Sequence, residues 1–280
     1  MEIEQIEDIE NFIAPKILGN LFSKKILALQ MFSNPMQNER LHTLLVGAVS
    51  SGKSVLGDDV SQMVPLSSFG SRKVTPVGML ENVVSCNGGI YVQDELDKVE
   101  KSAREMLLEV MQFGRVTSDK FRHHTRMDAK CNVIALCNPR EMSLIKGLSI
   151  INQLPFSLAL LSRFHLIIPF YSVDSDLYGE IARGYIKYED SYFRRRKVKE
   201  YIMGIKQQVP IVEVSESIAN KIGSTVRMLK VLSIEKDMIS PRLIEGAISM
   251  VRASARMNLR PQANQKDYEY VRKILEGVYL

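Results

Sequence analysis

The sequence predicts an α/β fold, a parallel sheet flanked by helices, followed by a C-terminal all-α lid. Before residue 170, short apolar runs typical of buried parallel strands alternate with helical stretches. These runs are Leu44–Val46, Ile90–Val92, Val133–Cys137 and Leu166–Ile168. After Tyr171 the apolar residues recur at helical spacing, for example from Ile244 to Ala255 behind the helix-start signal Ser240-Pro241. We therefore expect two domains, residues 1–170 and residues 171–280.

Length and composition exclude several classes of protein. With 280 residues, 45% of them hydrophobic, the chain can fill a sizeable core, so it is neither disordered nor fibrous. A net charge of +5 is compatible with an anionic partner but is too small to identify one. The three cysteines lack the spacing of a disulfide framework or a zinc site. No apolar run has the length of a membrane span or a signal segment, so we expect a cytoplasmic protein with no membrane partner.

The first predicted strand leads into a loop with the pattern of a P-loop, Gly47-Ala-Val-Ser-Ser-Gly52-Lys53-Ser54. In such a loop the backbone N–H groups surround phosphates, the lysine reaches the β- and γ-phosphates, and the serine hydroxyl binds Mg²⁺. We therefore predict a site for ATP and Mg²⁺. Its residues are Gly47, Ala48, Val49, Ser50, Ser51, Gly52, Lys53, Ser54 and Val55. The alternative is an ordinary turn rich in glycine and serine.

The second predicted strand ends in two adjacent carboxylates, Asp94 and Glu95. Hydrolysis of a nucleotide needs a carboxylate that holds the metal and a group that activates water. We predict that Asp94 joins Ser54 in the Mg²⁺ shell and that Glu95 polarises the attacking water. Such a pair is also common in solvated loops, but the P-loop upstream favours the catalytic role.

The third and fourth predicted strands each adjoin a polar residue. Asn138 follows the strand at 133–137, and ligands of α/β sheets bind at the carboxyl ends of strands. We predict that Asn138 orients the attacking water; the alternative is a turn residue before Pro139. Arg163 precedes the strand at 166–168 and is predicted to reach a phosphate on a neighbouring subunit. Its alternative is an ordinary surface arginine.

The order of these features along the chain resembles that of an AAA+ ATPase. The features are the P-loop, the Asp-Glu pair, the asparagine, the Ser-Arg-Phe segment and the helical lid. The details resemble the minichromosome maintenance (MCM) helicases over nearly the whole chain. The matching segments are Ile13–Gly19, Lys24–Gln30, Asp94–Lys98, Leu160–Phe164 and Ile239–Leu259. The resemblance implies an ATP-hydrolysing motor that forms a ring, a hexamer, and translocates on or unwinds DNA during replication.

The resemblance also implies how the subunits share each site. The P-loop, both carboxylates and Asn138 would act on the nucleotide of their own chain. Arg163 would enter from the neighbouring subunit, and Arg242 resembles the sensor-two arginine, which acts from the neighbour as well. The implied partner is DNA, single-stranded in a central channel. The location would then be the nucleoid, or the nucleus in a eukaryote.

A basic segment, Lys120–Arg126, lies where the resemblance places a hairpin that points into this channel, with Lys120 at its tip. The residues predicted to contact DNA phosphates are Lys120, Arg122, His123 and Arg126, with His124 close by. The alternative is a solvated hairpin with no partner. A second hairpin is implied in the helix after the P-loop, and Phe69–Gly78 is the segment available for it.

The sequence departs from the family pattern in three respects. The P-loop has Ala-Val-Ser-Ser where the family has an acidic residue and a proline-glycine pair, and His165 stands where the family has aspartate. We find no segment for the family's N-terminal DNA-binding domain or for a C-terminal winged helix. The expected explanations are a minimal motor, a separate paralogue or an excised part of a longer protein, and one possible source of the DNA-binding domain is a partner protein. Two alternatives follow: an ATP-dependent scaffold or loader without helicase activity, and an AAA+ protein remodeller, against which the basic 120–126 segment argues. The basic run Arg194–Lys197 is expected to be a solvated helix face.

Overall fold

The computed structural model describes residues 9–120, 123–141, 143–145, 147–171, 176, 178–187 and 192–280. The strands in these ranges are β1 (His42–Gly47), β2 (Ser67–Gly70), β3 (Ile90–Gln93), β4 (Arg115–Lys120), β5 (His123–Asp128), β6 (Asn132–Cys137) and β7 (Leu166–Phe170). The α-helices are α1 (Ile9–Phe12), α2 (Leu21–Phe32), α3 (Lys53–Met63), α4 (Pro76–Ser85), α5 (Lys101–Phe113), α6 (Leu158–Leu161), α7 (Tyr178–Lys187), α8 (Tyr192–Gln208), α9 (Glu216–Leu232), α10 (Pro241–Met257) and α11 (Gln265–Tyr279).

Five strands form one parallel sheet in the order β2-β3-β6-β1-β7. Strand β1 lies between β6 and β7, and its Leu44 is opposite Ala135 of β6 and Ile167 of β7. Every residue of β1 and β6 is buried, which explains their nearly continuous apolar sequence. The predicted α/β fold with a parallel sheet is confirmed, and all four predicted strands are present.

The structure corrects the expectation for the segment after the P-loop helix. Phe69–Gly78 does not form a hairpin: β2 pairs in parallel with β3 at the sheet edge, and α4 begins at Pro76. The Thr75 side chain caps α4 by accepting a hydrogen bond from the Gly78 N–H at 3.2 Å. The prediction was wrong because β2 is a half-buried edge strand, so its sequence Ser-Ser-Phe-Gly lacks an apolar run.

A buried polar network fixes α2 against the amino end of the sheet. The Gln30 side-chain amide donates to the carbonyl oxygens of Leu41, at 2.7 Å, and Val133, at 3.0 Å. Its oxygen accepts from the Thr43 hydroxyl at 3.0 Å. The Asn132 amide donates in turn to the Gln30 carbonyl at 2.9 Å. These bonds satisfy polar groups that would be costly to bury unpaired, and they tie α2 to both β1 and β6.

The chain after β7 is helical in its described residues, as the lid prediction requires. Helix α10 begins at Pro241, as predicted, and buries Ala247, Val251 and Ala255 on one face. The division into two domains near residue 170 stays a prediction. No helix in the described ranges is long and apolar enough to cross a membrane.

The basic run in α8 is not the solvated face that the sequence suggests. Arg194 and Arg195 both bind the carboxylate of Asp59 on α3, with Arg194 Nη2 and Arg195 Nε each 2.7 Å from Asp59 Oδ1. The expectation failed because the buried partner lies 135 residues away in the chain and cannot be read from local composition. Arg196, by contrast, is exposed.

A buried ion pair joins α10 to the segment before β1. The Arg256 side chain is fully buried, and its Nη1 and Nη2 lie 2.6 and 2.7 Å from the two carboxylate oxygens of Glu39. Arg256 also donates to the carbonyl oxygens of Val209 and Phe32. Removing one partner would leave the other charge buried without compensation.

We therefore expect Glu39→Ala to lower the free energy of unfolding by about 3–5 kcal/mol, measured by urea denaturation. Glu200→Ala is the control, because it also removes one carboxylate from an arginine pair, here the exposed pair with Arg196, and it should leave the midpoint unchanged. Equal midpoints for the two variants would show that the buried pair does not hold α10 in place.

Candidate functional site

A pocket of about 580 Å³ opens at the carboxyl edge of the sheet. Its floor is the P-loop, residues 49–55, and one side is formed by Asp94, Glu95 and Asn138 at the ends of β3 and β6. Two further walls come from the segment Lys16–Leu18 and from helix α7. The predicted P-loop, both carboxylates and the asparagine therefore lie around one cavity.

The P-loop backbone has the shape that a phosphate site requires. Gly52 has φ 98° and Ser50 has φ 62°, both in the left-handed region. A Cβ at Gly52 would lie 2.8 Å from Ile17 Cδ1, and one at Gly47 would collide with the carbonyl oxygen of Phe170. Helix α3 then begins at Lys53 with no side-chain cap on its first N–H groups. These donors, together with the helix dipole, favour an anion.

The ammonium group of Lys53 is buried, and its hydrogen bonds to described residues all end on neutral oxygen atoms. Its side chain is 6% exposed, and its Nζ donates to the carbonyl oxygens of Gly47, at 2.7 Å, and Ala48, at 2.6 Å. Longer bonds reach the Ser51 hydroxyl, at 3.2 Å, and Asn138 Oδ1, at 3.3 Å. All four acceptors are neutral, and burial lowers the pKa of Lys53. Within the described ranges Lys53 makes no ion pair, so an anion in the pocket would supply the missing countercharge.

The Asp94 carboxylate and the Ser54 hydroxyl are in contact. Ser54 Oγ donates to Asp94 Oδ1 at 3.1 Å, and the same oxygen accepts from the Glu95 N–H at 2.9 Å. Buried Gln93 orients this turn, because its amide donates to the carbonyl oxygens of Asp94, at 2.7 Å, and Gly70, at 3.3 Å. Two hard oxygen donors therefore meet beside the P-loop, a combination suited to Mg²⁺.

Glu95 has an unusual backbone conformation and contacts a cation. Its φ of 45° is rare for a residue other than glycine. Glu95 Oε2 lies 3.7 Å from Arg72 Nε, and the Arg72 side chain is 58% exposed. Sequence analysis missed this contact because it placed Arg72 in a hairpin. The pair leaves Glu95 at the pocket rim, beside the P-loop.

Asn138 is positioned by a buried carboxylate that sequence analysis did not assign. The Asn138 N–H donates to Asp97 Oδ1 at 3.2 Å, and the Asp97 side chain is 5% exposed. The Asn138 side chain points to Lys53, as described above. Asp97 is in the short 3₁₀ helix Leu96–Lys98 that directly follows Asp94 and Glu95, so this one turn of chain connects the ends of β3 and β6.

Arg163 and Arg242 lie at the opposite edge of the sheet. Arg163 is two residues before His165, whose Nδ1 accepts from the His42 N–H at 2.9 Å at the start of β1. Arg242 is at the start of α10, and burial and the charge of Arg163 lower its pKa. The six-residue strand β1 separates this edge from the P-loop by roughly 15–20 Å. The described residues of the pocket include neither arginine.

The basic segment forms the predicted hairpin. Strands β4 and β5 pair antiparallel with Lys120 opposite His123, and Arg126 is exposed. Arg122 and the side chains of Lys120, His123 and His124 lie outside the described part of the structure. The predicted DNA contacts of these residues stay a prediction.

Sequence analysis also missed the apolar walls of the pocket. Ile17 and Leu18 precede the sheet, and Tyr178 and Ile181 are on α7. Their side chains offer the pocket surfaces suited to an aromatic base. Ile17 and Leu18 are in the segment Ile13–Gly19, which was recognised only as a match to the family and given no role in the pocket. Tyr178 and Ile181 carry no sequence signal, because an apolar residue beside a cavity looks like any core residue.

Comparison with known proteins identifies the family. A family model described as the MCM P-loop domain matches residues 81–183. DNA replication licensing factor MCM4 of Drosophila melanogaster is 27% identical over 92% of this chain, which corresponds to 34% of the relative. This chain contains an MCM-family AAA+ domain. The segment matched by the MCM model holds Asp94, Glu95, Asn138 and Arg163, and the P-loop lies upstream of it.

Two archaeal MCM relatives match over a similar range. The minichromosome maintenance protein MCM of Saccharolobus solfataricus is 25% identical over 95% of this chain and 44% of the relative. An uncharacterised MCM-type protein of Methanocaldococcus jannaschii is 24% identical over 95% of this chain and 45% of the relative. The chain therefore spans less than half the length of these MCM proteins.

Proposed function

We propose that this chain is the ATPase motor of an MCM-type assembly that acts on DNA in replication. It would bind ATP with Mg²⁺, hydrolyse it at the interfaces of a hexameric ring, and use the hydrolysis to translocate on or unwind DNA. The observation that carries the proposal is the buried ammonium of Lys53 at the floor of the pocket, which makes no ion pair with any residue that the structure describes. A triphosphate would supply the direct anionic partner of this ammonium.

The residues around the pocket match the parts of a phosphoryl-transfer site. Lys53 would reach the β- and γ-phosphates, and the N–H groups at the start of α3 would bind phosphate oxygens. Ser54 and Asp94, whose oxygens are 3.1 Å apart, fit a Mg²⁺ ion as hard ligands. When bound, the ion would neutralise charge that develops on the phosphates.

Glu95 and Asn138 flank the place where water would attack. Asn138 Oδ1 would accept a hydrogen bond from the water and align it with the γ-phosphorus. Glu95 would take the proton as the new P–O bond forms and the bond to the β-γ bridging oxygen breaks, giving ADP and inorganic phosphate. The Arg72 contact would have to loosen for Glu95 to reach this water, because the pair now holds its carboxylate at the rim.

The position of two arginines supports a ring. Arg163 and Arg242 share an edge of the sheet that is remote from their own P-loop, so they would act on a nucleotide held by a second copy. Their charges would stabilise the transferring phosphoryl group. A head-to-tail contact of this kind forms a ring when its rotation closes. The β4–β5 hairpin would then present its basic residues to DNA.

We expect single-stranded DNA to stimulate steady-state ATP hydrolysis, with less stimulation at higher salt because phosphate contacts weaken. Lys53→Ala should abolish turnover and serves as the blank. Lys120→Ala should abolish the stimulation while keeping basal turnover. Lys101→Ala, which removes a lysine from the start of α5 whose side chain is 85% exposed, is the matched control and should behave as wild type. A rate that DNA does not change would favour the scaffold or protein-remodeller alternatives.

We expect equimolar mixing of Lys53→Ala and Arg163→Ala subunits to restore part of the activity that each lacks alone. The reason is that some interfaces would pair an intact P-loop with an intact Arg163. Mixing Arg163→Ala with Arg242→Ala is the control and should give no rescue, because every interface then lacks one arginine. Absence of rescue in the first mixture, measured as ATP turnover, would argue against shared sites.

A further inference from the structure

The buried carboxylate of Asp59 links the chain segments that position the two apolar walls of the pocket. These walls are formed by Ile17 and Leu18 and by helix α7. Asp59 is on α3, below the P-loop, and is 3% exposed. We propose that Asp59, with Arg194 and Arg195 of α8, is a positioning centre that sets the affinity for the nucleoside half of the nucleotide without touching it. The inference rests on the proposed nucleotide binding and extends it to residues outside the pocket.

Two chain segments, the turn at Ala14 and the first turn of α8, converge on the Asp59 carboxylate. Its Oδ2 accepts from the Ala14 N–H at 2.7 Å and from Arg194 Nη1 at 3.0 Å. Its Oδ1 accepts from Arg194 Nη2 and from Arg195 Nε, both at 2.7 Å. Burial alone would raise the pKa of this carboxyl, but the bonds from Arg194, Ala14 and Arg195 hold it below its ordinary value. The group is therefore an anion that satisfies both guanidinium ions.

The first of these segments forms one apolar wall of the pocket. Ala14 has φ 41°, a conformation costly for alanine, and the bond from its N–H to Asp59 holds the chain there. The Ala14 carbonyl accepts from Lys24 Nζ at 3.1 Å and from the Ile17 N–H at 2.9 Å. Ile17 in turn packs on Gly52 of the P-loop and lines the pocket. The turn that places Ile17 is thus anchored on Asp59.

The second segment restrains the other apolar wall. Arg194 and Arg195 are in the first turn of α8, and Arg195 Nη1 also donates to Gln62 Oε1 of α3 at 2.7 Å. Helix α7, whose Tyr178 and Ile181 line the pocket, ends at Lys187, and α8 begins at Tyr192. Because α8 begins so soon after α7 ends, fixing the start of α8 on α3 limits where α7 can lie.

The phosphate half of the pocket does not depend on these bonds. The P-loop hydrogen bonds of Lys53 end on Gly47, Ala48, Ser51 and Asn138, and none involves Asp59. Loss of the Asp59 charge should move the walls that would enclose the base and ribose and leave the phosphate donors in place. The two halves of the nucleotide should therefore respond differently.

The test compares Asp59→Asn with wild type for two ligands, ADP and inorganic tripolyphosphate, by calorimetric titration. We expect the dissociation constant of ADP to rise about tenfold and that of tripolyphosphate to change by less than about twofold. Asp58→Asn is the matched control: it makes the same change one residue away, where the carboxylate bonds only to Gln62 in the described structure, and should bind both ligands as wild type does.

Circular dichroism establishes that each variant is folded. If Asp59→Asn does not fold, Arg195→Lys decides, because it keeps the charge but cannot bridge Asp59 and Gln62; it should weaken ADP selectively by about threefold. Equal weakening of both ligands, or of neither, would overturn the inference. Wild-type protein that binds neither ligand would instead overturn the proposed function.

Discussion

The arrangement of the site depends on the parallel pairing of β1 with β6 and β7. Since all strands of the main sheet run the same way, the chain leaves β1, β3 and β6 at one edge, and the P-loop, Asp94 and Asn138 meet there. Because β7 is parallel to β1, the residues that precede β7, among them Arg163, lie at the opposite edge of the sheet. This topology brings Lys53, both carboxylates and Asn138 together and separates Arg163 and Arg242 from them.

This separation places cationic side chains at both edges of the sheet. At the carboxyl edge, Lys53 is buried with neutral partners, a costly arrangement unless an anion binds. At the amino edge, Arg163 and Arg242 are close enough for their charges to interact, with Glu245 nearby. A second copy that brings its nucleotide to this amino edge would neutralise the arginines, which is why the account favours shared sites in a ring.

The sequence predicted the features whose cause is local. Buried strands need apolar runs, and phosphate loops need glycines, so four strands, the P-loop, Asp94-Glu95 and Asn138 could be recognised from composition and spacing. Strand β2 could not, because an edge strand tolerates polar residues. Asp97 and the Asp59 contacts with α8 could not be predicted either, since they depend on tertiary contacts between distant segments. For Arg194 the local composition gave a wrong prediction, because a run of basic residues is typical of a solvated helix face.

Nucleotide binding at the P-loop is the claim on which the rest depends, and calorimetric titration of the chain with ATP, with and without Mg²⁺, tests it most directly. The account predicts one equivalent of ATP per chain, tighter binding with Mg²⁺ because Ser54 and Asp94 then contribute, and loss of binding in Lys53→Ala. Binding that is absent from the wild type, or that is unchanged by Lys53→Ala, would contradict it.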